Sequence, residues 1–211
     1  MKTVIGLAGV KTSGKSTVAN IIKGFVEASE SALADKLKNT CASTFGLTRE
    51  YFDSQDLKEV PFGKPMMVTR TELEKILKAF NISVDRADDL RHLEETLLES
   101  PRRIAQFVGT EILRSLGNPD IHCESVELSD GVTIISDMRF PNEYEYFSKM
   151  EDINFIPLYV ARNEAESQIT PDSHPSETSV FQFKNKCVRL DNNGTLEQLE
   201  ANIKSALEGK L

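Results

Sequence analysis

Gly9-Val10-Lys11-Thr12-Ser13-Gly14-Lys15-Ser16-Thr17 decides how the chain is read. The stretch fits G-x-x-x-x-G-K-[ST], the phosphate-binding loop. Before it, Thr3 to Ala8 reads as a buried strand. After it, Val18, Ile21, Ile22 and Phe25 fall on one helical face. That is the strand–loop–helix setting the motif requires. Gly9 and Gly14 let the backbone turn tightly and bring N–H groups toward phosphate oxygens at the positive end of a helix dipole. Lys11, Thr12, Ser13 and Thr17 complete the nucleotide cradle. Lys15 can reach the β- and γ-phosphates, and the Ser16 hydroxyl can ligate Mg²⁺. The plain alternative is a glycine-rich turn that matches by chance, and the flanking pattern counts against it.

The chain has 211 residues, 39% of them hydrophobic and 27% charged, which suits one globular domain with room for an inserted lobe. A net charge of −8 argues against a nucleic-acid partner, whose phosphates would be repelled. It leaves room for a small anionic ligand if positive charge is gathered locally. Cys41, Cys123 and Cys187 form no C-x-x-C pair, so reduced thiols and a cytoplasmic protein are expected. His122-Cys123 reads as structural rather than as part of a zinc site. Lys2 and the apolar run behind it resemble a signal peptide only superficially, because Lys11 and Lys15 interrupt the run. No stretch approaches the roughly 20 apolar residues of a membrane span, and a soluble protein is expected.

Further along, Ser31 to Ala34 is a second strand candidate, and Asp35 to Phe45 reads as a helix capped by Gly46. Residues 47–68, with Pro61, Gly63 and Pro65, read as an inserted loop. Helical spacing returns at Leu73, Ile76, Leu77 and Phe80, and again at Leu90, Leu93 and Leu97. A helix from Pro101 to about Leu116 has Ser100 as its N-cap and Gly117 as its stop. Val132 to Ser136 is a strand buried on both faces, ended by Asp137. Phe155 to Val160 is another, with Pro157 disturbing its start. Residues 162–185 form a polar excursion. Cys187 to Leu190 is a short strand, Asn192-Asn193-Gly194 a turn, and Thr195 caps a helix carrying Leu196, Leu199, Ile203 and Leu207. The alternation implies an α/β fold on a mainly parallel sheet, interrupted by excursions at about 47–100 and 162–185. Ligands bind beyond the carboxyl ends of such strands, so the loop, Asp137 and Arg162 should share one crevice.

Three charge placements ask for an anion. Arg102 and Arg103 stand in the first turn of a helix, where the dipole disfavours them by a few tenths of a kcal/mol each, roughly. Gln106 and Gly109 follow on the same face, offering an amide and a gap for close approach. The alternative is a pair of exposed arginines bonded to Glu94 or Glu95. Asp137 fits a magnesium-shell carboxylate opposite Ser16; Arg139 can contact a phosphate, and Glu143 can orient Arg139 or accept a sugar hydroxyl. A capping Asp with a local Arg–Glu pair is the alternative there. In the 162–185 excursion, Arg162 could close over phosphates, and His174 either serves a ligand or hydrogen-bonds Glu177.

Taken with Leu33-Ala34, Lys38, Pro101-Arg102-Arg103, Gln106, Gly109-Thr110, Asp137-Met138-Arg139, Glu143, Arg162, His174, Glu177 and Asn192 to Leu196, the loop resembles that of the bacteriophage-type deoxynucleoside monophosphate kinases. The resemblance runs from end to end. It departs from the family at Ser16, where some relatives have Asp, and at Lys36, where Pro is usual. It implies a single P-loop NTPase-type domain over 1–211, a three-layer sandwich on a five-stranded sheet. The monophosphate-binding insert would span about 47–100 and the lid about 162–185. It implies transfer of the ATP γ-phosphoryl group to a deoxynucleoside monophosphate with Mg²⁺. Lys15, Arg102, Arg103, Asp137, Arg139 and Arg162 would form the catalytic set, with Mg²⁺ on Ser16 and Asp137. Asn193 and Gly194 would lie near the adenine. Lys38, Arg102, Arg103, Gln106, Arg139, Glu143, His174 and Glu177 would serve the acceptor. A homodimer is compatible with this reading. The rivals are a kinase for dephospho-coenzyme A or a nucleoside, and a regulatory ATPase; a switch would need no second set of arginines.

Overall fold

A computed structural model describes residues 2–54, 56–116 and 118–211. The chain divides into two compact units: residues up to Leu33 with Val126–Leu211, and Ala34–Ser125. The first unit begins with β1 (Lys2–Ala8), α1 (Lys15–Lys23) and β2 (Ala28–Ser31). The second supplies α2 (Asp35–Phe45), α3 (Glu50–Asp53), β3 (Met66–Met67), α4 (Arg70–Ala79), β4 (Leu97–Leu98), α5 (Pro101–Gln106) and α6 (Ile121–Glu124). The chain then returns with β5 (Val132–Met138), α7 (Pro141–Ser148), β6 (Ile153–Ala161), α8 (Asn163–Glu166), α9 (Pro175–Thr178), β7 (Val188–Asp191) and α10 (Leu196–Leu207).

The first unit carries a five-stranded sheet in the order β2-β5-β1-β6-β7, with all neighbouring pairs parallel. Alternation along β6 builds its layers. Ile156, Leu158 and Val160 join Val18, Ala19 and Ile22 of α1 and Leu199, Ile203 and Leu207 of α10 in one apolar cluster. Phe155 points the other way and packs on Tyr144 and Phe147 of α7. Helices therefore cover both faces, and β1 is buried from Val4 to Ala8. Each fully buried aliphatic side chain in these layers contributes about 1.5–3 kcal/mol.

Several expectations shift. The second strand lies at Ala28–Ser31 rather than 31–34. It is an edge strand with Ser29 and Glu30 exposed, so it lacks the apolar run that marks a buried strand. Phe25 falls past the end of α1 and is 41% exposed. Asp137 does not end its strand; β5 runs on to Met138, with a register shift opposite Gly6 and Ala8 of β1. Pro157 sits inside β6, one residue before β7 begins to pair at Leu158, so one edge of the strand still has room for a residue without an N–H.

The second unit packs Leu37 and Cys41 of α2, Leu73, Ile76 and Leu77 of α4, and Ile104, Phe107 and Ile112 into its own core. That shared core explains why the unit reaches from 34 to 125, wider than the expected insert at 47–100. Gly46 caps α2 as expected. The leucine spacing at 90–97 does not make an α-helix: 3-10 turns at Val84–Asp88 and Arg91–Leu93 lead into β4, and Glu95 takes a φ of 66° that breaks any helix. Helical backbone does run from Pro101 to Leu116, as α5 followed by a π-helical stretch, Phe107–Leu113, and a final 3-10 turn. Its expected stop, Gly117, lies outside the described residues.

Candidate active site

The loop from Gly9 to Gly14 joins β1 to α1 in the first unit. Gly9 and Gly14 adopt φ of 151° and 101°, and a Cβ on Gly14 would lie 2.2 Å from Asn192 Nδ2. Side chains are excluded at both positions, by conformation and by space. The N-terminus of α1 carries no side-chain cap and no acid in its first turn, which leaves its N–H groups and dipole to an anion. Ser16 and Thr17 are exposed there, as are Lys11 and Thr12, and Thr12 takes a φ of 63°. Ser13 turns inward, and its buried hydroxyl has no partner among the described residues.

Lys15 folds back over the loop, donating to the Gly9 carbonyl at 2.7 Å and the Val10 carbonyl at 2.8 Å. Burial lowers its pKa to about 7, and Arg139 pushes the same way; Glu177 and Asp137 oppose them. A phosphate would restore the ammonium's charge. Asp137 sits at the irregularity in β5, and its Oδ1 accepts the Leu33 N–H at 2.7 Å. Bulged strand ends often re-aim a side chain in this way. The exposed Ser16 hydroxyl and the Asp137 carboxylate close to Lys15 suit Mg²⁺, which takes few protein ligands and completes its shell with water and phosphate.

Arg139 forms an ion pair with Glu177, and the Glu177 Oε2 accepts the Lys11 N–H at 2.6 Å. Glu143 is 5% exposed and accepts the N–H groups of Arg139 and Phe140 at 2.6 and 3.0 Å. It thus holds the turn that carries Arg139. His174 does not bond Glu177 through its side chain; its ring caps α9, Nδ1 accepting the Ser176 N–H at 3.2 Å. Arg162 stands beyond β6 but pairs with Glu164 at 3.0 Å. Asn193 hydrogen-bonds Asp191 and accepts the Asn163 N–H. At Gly194 a Cβ would meet Gln198 Oε1 at 1.9 Å, so that glycine makes way for the cap of α10.

Asn192, which the sequence places only in a turn, makes a contact with the loop. Its Nδ2 donates to the Ser13 carbonyl at 2.8 Å, tying the end of β7 to the loop 179 residues earlier in sequence. The available signal was an amide immediately after the last strand, at the sheet's carboxyl edge.

In the second unit, Arg102 pairs with Glu59 at 2.7 Å and Arg103 with Glu111, not with Glu94 or Glu95. Lys38 pairs with Asp53 at 2.9 Å, and Arg49 joins the same carboxylate. Burial pushes the Asp53 carboxyl upward, but Lys38 and Arg49 bring it below its ordinary value. Gln106 closes α5. Gly109 offers no opening for a ligand, because a Cβ there would meet Leu37 Cδ2 at 3.1 Å. His122 and Cys123 are buried, and burial lowers the His122 pKa to about 4. The cysteines at 41, 123 and 187 are all free thiols. Among the described residues no helix is long and apolar enough to cross a membrane.

No protein-family model matches the chain. A protein of Escherichia phage T5 named deoxynucleoside-5'-monophosphate kinase is 27% identical over 216 residues, covering 85% of this chain and 86% of its own length. A second, from Acanthamoeba polyphaga mimivirus and provisionally named a deoxynucleotide monophosphate kinase, is 27% identical over 225 residues, with 97% and 96% covered. The chain is a distant homologue of proteins named as deoxynucleoside monophosphate kinases. A solved sugar kinase from Janibacter sp. covers 99% of this chain and 95% of its own at 12% identity, but with a TM-score of 0.37 it carries no argument.

Proposed function

We propose that the protein is an ATP-dependent deoxynucleoside monophosphate kinase, giving a deoxynucleoside diphosphate. The observation that carries this is the intact loop from Gly9 to Thr17, with Lys15 under the influence of Asp137, Arg139 and Glu177. The names of the two homologues support the choice of acceptor.

Phosphoryl transfer asks the protein for positioning and charge neutralisation more than for covalent chemistry. Lys15 exchanges two carbonyl partners for phosphate oxygens and regains its charge. The N–H groups at the start of α1 hold the phosphate chain, and Asn192 keeps the loop's curvature. Asn193 and Gly194 are assigned to the adenine side. Mg²⁺, held by Ser16 and Asp137, would neutralise charge building on the phosphates. Arg139, positioned by Glu143, and Arg162 address the transferring group. The acceptor side is assigned to Lys38, Arg102, Arg103 and Gln106, with His174 and Glu177 contributed by the lid. Free thiols and a nucleotide substrate fit a cytoplasmic setting.

An acceptor screen tests the reading: ATP with each deoxy- and ribonucleoside monophosphate, with nucleosides and with dephospho-coenzyme A. Turnover on one or more deoxynucleoside monophosphates is expected. Phosphorylation of dephospho-coenzyme A or a nucleoside alone would replace it.

A further inference from the structure

The phosphate loop already holds an anion, and it comes from the chain itself. Glu177 accepts the Lys11 N–H through Oε2 at 2.6 Å and pairs with Arg139 through Oε1. The two side chains are 18% and 23% exposed, so the pair is largely withdrawn from water. Arg139 also reaches the Ser176 carbonyl at 3.5 Å. The position is set from within the segment: the Glu177 N–H donates to the His174 carbonyl at 2.8 Å, and the His174 ring caps the same turn. Lys15 feels the charges of Arg139, Glu177 and Asp137.

A backbone N–H at the mouth of the loop, a guanidinium and a nearby ammonium are what a phosphate oxygen seeks. The Lys11 N–H and Arg139 cannot serve a carboxylate and a phosphate fully at the same time. A phosphate brings up to two charges and three acceptor oxygens against the carboxylate's one and two. We infer that Glu177 is an internal competitor, which occupies the loop's donors until a polyphosphate displaces it and frees the 162–185 segment. This rests on the loop being the nucleotide site. Glu177 then raises the concentration of phosphate chain needed for occupancy, and lid release is coupled to loading.

The test uses the full chain and two variants, Glu177→Gln and Glu177→Ala, titrated calorimetrically with inorganic tripolyphosphate and with ATP. Removing the charge should tighten both ligands by about ten-fold in each variant. Unchanged or weaker binding, in variants that melt where the wild type does, overturns the inference and leaves Glu177 as a support for Arg139. Acceptor turnover is measured in parallel. Tighter binding in the variants, with no turnover by the wild type on any nucleotide, keeps the competitor and discards the kinase. Normal kinase turnover with unchanged binding does the reverse. A wild type that binds neither ligand overturns both.

Discussion

The two units hold their cations in different ways. In the first, Lys15 is half-buried against carbonyls of its own loop, and Arg139 sits in a largely enclosed pair on a turn fixed by Glu143. In the second, Arg102 and Arg103 are 39% and 35% exposed and lie in surface pairs with Glu59 and Glu111. Pairs of the second kind contribute about 0–1 kcal/mol and are screened by salt. The first unit therefore holds its cations preorganised in enclosed contacts, while the second holds them in exposed surface pairs.

Breaking the preorganised side should have the larger effect. Lys15→Ala is expected to fold normally and lose about 10³-fold in turnover, read by circular dichroism and a coupled assay. Near wild-type turnover in that variant would remove the loop from the chemistry. On the second unit, Arg102→Ala and Arg103→Ala should each raise the KM for the monophosphate about ten-fold with the KM for ATP unchanged. Equal changes for both substrates would mean these arginines serve no separate acceptor.

A smaller effect comes from titration. With the Lys15 pKa near 7 in the free protein and restored upward by bound phosphate, binding above neutrality takes up a proton. ATP affinity should fall as pH rises from 7.5 to 8.5, by up to about ten-fold. Lys15→Arg keeps its charge throughout and should flatten that slope; a slope that survives it would assign the titration elsewhere. Smallest of all, Asn192→Ala releases the Ser13 carbonyl and should weaken ATP about three-fold, comparable to one lost neutral hydrogen bond. No change would make Asn192 a passive neighbour of Gly14.

What could be read in the sequence follows the same division. The loop, β1 and α1 are legible because their conformation is demanded locally, by glycines at 9 and 14 and by apolar spacing. α2 is legible because Gly46 ends it. Elsewhere the deciding contacts are distant in sequence. β2 is a strand because β5 pairs with it, whatever the polarity of Ser29 and Glu30. Leu90 and Leu93 keep helical spacing, yet Glu95 leaves the helical region and Leu98, not Leu97, is buried. Asn192 meets Ser13 only because β7 aligns on β6 and the chain ends its ladder at Ala161. The partners of Arg102 and Arg103 likewise depend on how α5 packs in its own unit, which residue spacing does not reveal.

Following the γ-phosphoryl group tests the central claim most directly. With γ-labelled ATP and a mixture of deoxynucleoside monophosphates, the account predicts label in a deoxynucleoside diphosphate, in step with ADP formed. Label released only as inorganic phosphate, with no dependence on the monophosphate, would contradict it.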